Sequence, residues 1–451
     1  MISMTEGNPT IQLGDPMSWL ESLSHASEPR WLTDRRRAAK AHFSEQGLPT
    51  SRDEEWRATN IDAIRDTPFR AGELVEVTAE EQDLDRAAIP GLDAARAVFI
   101  NGRFRPELSD LSGLPAAVTV APLSTAVSRQ SELLESRLGA LADPTIDGFT
   151  ALNTAAFSDG LFVHVPRGVV AERPIHVINL TKNDGGGPIK THPRNLLIVE
   201  ESASLKVIED YLAASDEETY FTNALTEIYV DDNAEMEHYY LERESEKAYN
   251  ISTLRTRQGR DSRMISHSVL LGGALVRNNV APTLDGENAF SVLNGLYLGR
   301  DRQHLDNAMS VNHAQPHGDS RQYYKGILAD RAVGVFSGRI RVEKVAQKTD
   351  AKQSNQSLLL SRDAKTSSRP QLEIYADDVK CTHGATIGEL DESALFYLQS
   401  RGLPRGDARA LLVHAFAAEC LERMSLASVR ELIDRVVIDR ISAAVDAPIE
   451  A

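Results

Sequence analysis

Cysteine is almost missing from this chain: its 451 residues include only Cys381 and Cys420. Two thiols exclude a disulfide framework and fit a reducing compartment. They also exclude an iron–sulfur or zinc centre built wholly from this chain's thiolates, since such centres take about four. Any metal held here needs other donors or another chain. Positive charge is also scarce. Lys and Arg number 49 against 66 Asp and Glu, a formal charge of −17. That balance argues against non-specific binding to nucleic acid or to an anionic membrane, both of which need a cationic surplus. No run approaches the ~18 consecutive apolar residues of a membrane-spanning helix. The opening segment, Met1 to Asn8, has neither the basic nor the apolar part of a secretory signal, so a cytoplasmic protein is expected.

What is present reads as ordinary folded protein, with 41% hydrophobic and 25% charged residues. The length is too great for one compact core. Three patterns follow one another, with boundaries expected near 1–145, 146–388 and 389–451. The first is helical: Trp31-Leu32-Thr33-Asp34 opens a run of Arg and Ala to His42. Ser124 to Leu141 then places Leu133, Leu134, Leu138 and Leu141 near the 3.6-residue period. Between them, Ala97-Val98-Phe99-Ile100 before Asn101-Gly102 reads as a strand entering a tight turn.

The second region has short alternating segments. Phe336, Gly338, Ile340 and Val342 share one face, and Ser337, Arg339, Arg341 and Glu343 the other. Leu372, Ile374 and Ala376 alternate in the same way. Ser202 to Val207 resembles Asn233 to His238, and Ser262 to Ser266 resembles both, at spacings of about 30 residues that suit stacked supersecondary units. Turn signals such as Pro166-Arg167-Gly168 and Asp285-Gly286-Glu287-Asn288 separate the strands. A β-solenoid is expected, with a β-sandwich as the competing reading. The third region returns to helix. Arg401-Gly402-Leu403-Pro404 stops one helix and starts another, and Leu411, Leu412, Ala415, Phe416 and Leu421 spread over more than one face. Such a helix either caps a solenoid or docks a partner.

Candidate sites divide sharply in quality. Gly185-Gly186-Gly187-Pro188-Ile189-Lys190-Thr191 is not a phosphate-binding loop, because Ile189 stands where glycine is required and Pro188 lacks an amide donor. His313 and His317 have a helical ligand spacing, but Pro316 and Gly318 oppose a helix there, and His304 and Asp306 join them only through folding. Lys380-Cys381-Thr382-His383-Gly384 is more informative. In an extended chain Cys381 and His383 point to one side, and thiolate with imidazole suits iron or zinc. Lys380 would favour the thiolate. The alternative is a buried thiol and a hydrogen-bonded imidazole on the last solenoid turn. A Cys–His hydrolase fits poorly, since a histidine two positions along one strand is badly placed to activate its neighbour.

Several segments together resemble SufD proteins, a branch of the SufB/SufD family of iron–sulfur cluster assembly proteins. They are Leu48 to Arg57, Phe99-Ile100-Asn101-Gly102, Ala151-Leu152-Asn153-Thr154-Ala155, Phe336-Ser337-Gly338-Arg339, Lys348 to Leu360, Lys380 to Thr386 and Phe396 to Gly402. SufB proteins, the nearest alternative, carry a His-Glu-type element in place of Cys381 to Gly384 and more cysteine. The resemblance implies a mainly β protein, a right-handed parallel β-helix flanked by N-terminal and C-terminal helical domains. It implies a non-catalytic scaffold that pairs with SufB through the β-helices and holds a SufC ATPase on its C-terminal helices. Iron or an iron–sulfur cluster would be bound transiently with SufB and not by the isolated chain. By the same resemblance His383 is the interface ligand, Cys381 a second candidate, and Leu411, Leu412, Ala415, Phe416 and Leu421 the SufC-docking surface. A SufB-type paralogue, or a structural and iron-recruiting partner without a cluster ligand, are the alternatives. An exposed solenoid edge would also allow a homodimer.

Overall fold

The computed structural model describes residues 19–20, 28–78 and 80–445, with side-chain surroundings as far as residue 441. From Ser204 onward each strand pairs, in parallel, with the strand two places along, so the chain winds between two sheets. The first sheet ends in Lys365–Ile374 and the second in Lys380–Gly388. About eight turns result, which settles the choice in favour of a solenoid over a sandwich.

Its corners explain the weak sequence repeat. Ser202, Asn233, Asp261, Asn288, His317 and Lys348 all take left-handed backbone conformations, with φ between 56° and 65°. Each donates its N–H to a carbonyl one turn further on, as Asn233 does to Arg260 at 2.7 Å and His317 to Gln347 at 2.9 Å. Asn and Asp tolerate this conformation readily. Side chains stack along the same corner, Asn233 on Ser202 at 3.0 Å and Asn288 on Asp261 at 2.8 Å. Inward positions then follow alternation: Phe336, Ile340 and Val342 are fully buried, whereas Ser337, Arg339 and Arg341 face out.

The N-terminal region closes the start of the solenoid. The strand Ala95–Ile100 extends the second sheet and turns at Asn101-Gly102 into the antiparallel Arg103–Phe104. Thr119–Pro122 terminates the first sheet, also antiparallel. Helices α1 (Arg30–Gln46), α2 (Asp62–Asp66), α3 (Leu123–Arg129), α4 (Ser131–Arg137) and α5 (Gly148–Ala156) complete this region. The expected single helix from Ser124 is therefore two, broken at Gln130, and Leu138 is buried from an extended residue beyond it. These elements pack on the outer face of the first sheet through clusters around Phe43, Trp56, Phe149 and Phe221, and around Leu32, Leu134 and Phe162.

Helices α6 (Glu392–Ser400), α7 (Arg405–Leu421) and α8 (Ala427–Val445) do not cap the far end. Helices α7 and α8 lie along the side of the second sheet, where Val413, Ala417, Cys420, Leu421 and Ile433 join Leu241, Val269, Leu296 and Ile327, and α6 packs against α7. The second sheet's outward apolar residues needed that cover, and so the helices were drawn to its flank. No helix among the described residues is long and apolar enough to cross a membrane.

Polar groups inside the solenoid make one pH-sensitive element. Glu242 and Glu244 are both buried. Glu242 accepts the N–H groups of Glu244 at 3.1 Å and Gly272 at 2.9 Å, while Glu244 accepts from Thr222 and Asn250, each at 2.7 Å. Burial, and for Glu244 the charge of Glu242, push both carboxyls up, to about 7 and about 8. The folded state thus holds protons that the unfolded state releases near pH ~4.5. Their contribution is complete below that pH and is lost as pH rises through 7 to 8. Glu244→Gln is expected to raise the urea midpoint at pH ~8.5 and to flatten its decline from pH ~5. An unchanged slope would show that the pair does not titrate there.

Candidate functional site

Among the described residues the last solenoid turn has no successor: Lys380–Gly388 pairs only with Asp350–Leu359, and Lys365–Ile374 only with Val333–Val342. Each presents an unpaired edge, and the inward-pointing side chains of that turn lie open. Cys381, His383, Ala385 and Ile387 continue the inward columns of Ala351, Gln353, Asn355 and Ser357. The four below are at most 3% exposed, while Ile387 above them is 54% exposed. On the other sheet Ile374 is 39% exposed, and Tyr375 beside it is also exposed. At earlier turns the positions of Ile374 and of the Cys381 to Ile387 columns are buried, as Val342 and His313 are below Ile374. Here they form the floor of an open end.

Cys381 and His383 therefore share one face, about 6.6 Å apart along the strand, close enough for both side chains to reach one ion. His383 is exposed. Cys381 is half-buried against Ala351, Ala376 and Val342. Burial pushes its thiol up, and Asp350 adds to the shift. The expected help from Lys380 is absent, because adjacent strand residues point to opposite faces and Lys380 is turned to solvent above Asp350. Beneath His383, Gln353 donates to Gln322 at 2.9 Å, and its Oε1 is buried without a hydrogen-bond partner. This Gln322–Gln353–His383 column was not read from sequence. Its signal was present as two glutamines one solenoid turn apart at inward positions.

Among the described residues, no group of three or more His, Cys, Asp or Glu is placed to hold a metal ion. The histidine set that sequence raised is dispersed. His313 is buried on Ser320 at 2.8 Å, its pKa pulled down by burial to about 4. His317 stands at an exposed corner. His304 meets Thr59 at 3.0 Å, and Asp306 is engaged by Thr59 and Arg277, each at 2.5 Å. The glycine-rich loop behaves as expected of a connector: Arg70 ties it down at Asp184 and Gly187, and Lys190 is buried with its ammonium on the Phe69 carbonyl at 3.1 Å.

The α7 residues separate into two sets. Leu421 is 1% exposed and anchors the helix to the sheet. Phe416 is half-buried under the Lys325 ammonium, 4.2 Å from the ring centre. Leu412 is half-buried, whereas Ala415 and Leu411 are exposed. Leu411 lines a groove of about 330 Å³ between α7 and α8 with Leu403, Ala410, His414, Ile438 and Ile441. Phe396 and Tyr397 of α6 are also exposed, at 73% and 60%.

With this geometry in view, comparison with known proteins is decisive. Residues 180–416 match the family described as SUF system FeS cluster assembly, SufBD core domain, and residues 20–177 match the SufBD protein N-terminal region. The chain belongs to the SufBD family. It is 33% identical over 398 residues to the iron–sulfur cluster assembly protein SufD of Escherichia coli, covering 87% of this chain and 90% of that protein. A SufBD family protein of Synechocystis is 36% identical over 422 residues, covering 91% of each chain. The iron–sulfur cluster assembly protein SufB of Bacillus subtilis is 24% identical over 404 residues, covering 86% of this chain and 85% of that protein. This SufBD member is thus SufD-like, an iron–sulfur cluster assembly protein.

The segment Ala151 to Ala155 has a physical role in the fold. Asn153 donates to the carbonyls of Pro193 at 3.0 Å and Asn223 at 2.8 Å, and with Thr154 it accepts from the buried Arg194. It stitches α5 to the first sheet.

Proposed function

We propose that the chain is a scaffold subunit of a SufBCD-type complex: a SufB-type partner covers the open solenoid end, and a SufC-type ATPase engages the C-terminal helices. The observation that carries the first part is the uncapped last turn. Unpaired edges and exposed core-type residues are liabilities that proteins cover or blunt, and α7 and α8 lie on the flank of the second sheet. Gly384 adds support. A glycine weakens a strand, and a Cβ built there would meet nothing within 4 Å, so close approach by another backbone gives it a purpose.

His383, exposed on that end, would donate its imidazole to nascent cluster or iron, with Cys381 as the second donor and the remaining ligands from the partner. Iron and sulfide are cargo in this reading. The chain turns nothing over, ATP hydrolysis belongs to the SufC-type partner, and a reducing cytoplasm keeps both thiols free. An isolated chain would pair its open end with a second copy. The half-burial of Cys381 and its raised thiol favour one narrower alternative, in which this cysteine is structural and the ligand role falls on His383 alone.

Co-purification with SufB-type and SufC-type chains, followed by iron and sulfide analysis after anaerobic reconstitution, tests the proposal. A stable ternary complex that retains cluster is expected. Failure to associate with either partner would remove its basis. For the ATPase contact, Leu411→Asp is expected to weaken SufC association by about tenfold or more. Stability should stay within about 0.5 kcal/mol, because Leu411 is a surface residue. Unchanged association would move the docking surface off α7.

A further inference from the structure

The outer face of the first sheet carries a groove of about 420 Å³ next to the N-terminal region, of a size suited to a small molecule. Its contents are unusual for a chain of net charge −17: four arginines, Arg255, Arg277, Arg339 and Arg369, line it. Its floor is made of small residues. Ala308, Ser337 and Arg369 occupy one register column on successive strands, and Ser310 and Arg339 share the neighbouring one. Where long side chains would ordinarily cover a sheet, space is left between guanidinium groups.

Two of the four arginines are committed. Arg277 is 3% exposed, held by Asp306 at 2.5 Å and lying 4.0 Å over the Trp56 ring. Arg339 bonds Ser310 through Nε at 3.2 Å and Nη2 at 3.1 Å, and Glu55 stands 3.6 Å away. The other two are not. Among the described residues neither Arg255 nor Arg369 has a hydrogen-bonded acceptor, and the Arg255 Nε is buried without a partner. Burial pulls the Arg255 pKa down, against the nearby Asp147 and Glu55 carboxylates and with a smaller push from Arg339. Glu54, Glu55 and Glu373 also line the groove, but they leave these two forks unfilled. A buried donor without an acceptor, as the Arg255 Nε is, is costly, and the exposed Arg369 fork is open to an acceptor from outside. A carboxylate offers two oxygens, whereas a phosphoryl group offers three to several forks at once.

We propose that this groove binds the phosphate or diphosphate group of a small molecule between Arg255 and Arg369, with Ser310 and Ser337 as neutral partners. The site lies on the first sheet and Cys381 and His383 on the second, so it stands or falls separately from the cluster-ligand reading. The test is calorimetric titration of the full chain with inorganic phosphate and with pyrophosphate at low ionic strength. Saturable one-to-one binding of at least one anion is expected, weakened about tenfold or more by Arg255→Gln and by Arg369→Gln. Arg30→Gln, which makes the same charge change at a residue whose side chain is 95% exposed, is expected to leave binding unchanged. Tighter binding of pyrophosphate would assign a diphosphate, and equal binding a single phosphoryl group. Absence of saturable binding, or an equal loss in Arg30→Gln, would overturn the proposal. Should Arg255→Gln fold poorly by circular dichroism, the exposed Arg369→Gln decides the matter alone.

Discussion

In the assembled complex, His383→Ala is expected to leave subunit association intact and to reduce the iron and sulfide retained after anaerobic reconstitution by about tenfold or more. Even partners that only orient a metal ligand cost 10–100-fold when removed, and a direct ligand should cost no less. Association should survive because the imidazole is exposed on an edge strand, where the backbone supplies the pairing groups. Cys381→Ala separates the two donors. If Cys381 is structural, cluster content holds and only a small cavity cost appears. If it is a ligand, both variants lose cluster. Normal cluster formation in His383→Ala would sink the ligand role while leaving the docking proposal untouched.

Glu227→Ala is expected to destabilise the folded chain by about 3–5 kcal/mol, read as a fall in the urea midpoint. Glu227 is fully buried and pairs with Arg194 at 2.6 Å, itself 1% exposed. It also accepts the N–H groups of Gly139 at 2.7 Å, Leu141 at 2.9 Å and Ala142 at 3.3 Å. Removing it strands a buried guanidinium and three amides together. Most folded domains have only about 5–15 kcal/mol to lose. The double variant Arg194→Met with Glu227→Leu removes the stranded charge but not the loss at the amides, so only part of the stability should return. Full recovery would show that the loop 139–142 contributes nothing through this carboxylate. A loss under about 1 kcal/mol in the single variant would contradict the burial on which the argument rests.

Much of this architecture was legible in one sequence because it depends on local chemistry. Asn101-Gly102 takes φ values of 52° and 77°, the conformation such a pair favours. Gly402, with φ at 95°, stops α6, and Pro404 precedes α7. Asn233 and Asn288 marked solenoid corners for the same reason, while Asp261, His317 and Lys348, in the same conformation, were not read from sequence. The strain at His317 and Lys348 is imposed by stacking on the corners beneath them, which no local propensity reports.

Other features depend on what packs against what. Composition set the scarcity of thiols and the acidic balance, and alternation set which face of each strand turns inward. The same periodicities placed Cys381 and His383 on one side and left α7 with apolar residues on more than one face. Whether that pair would be core or surface was beyond the sequence, because identical alternation describes an interior turn and a terminal one. The tertiary structure decided it by sending the C-terminal helices to the flank of the second sheet, where apolar area remained to be covered, and by leaving the last turn open. It likewise gathered Arg255, Arg277, Arg339 and Arg369 from separate turns into one groove. Stacking turns brings distant residues into register, and that register exists only once the solenoid has wound.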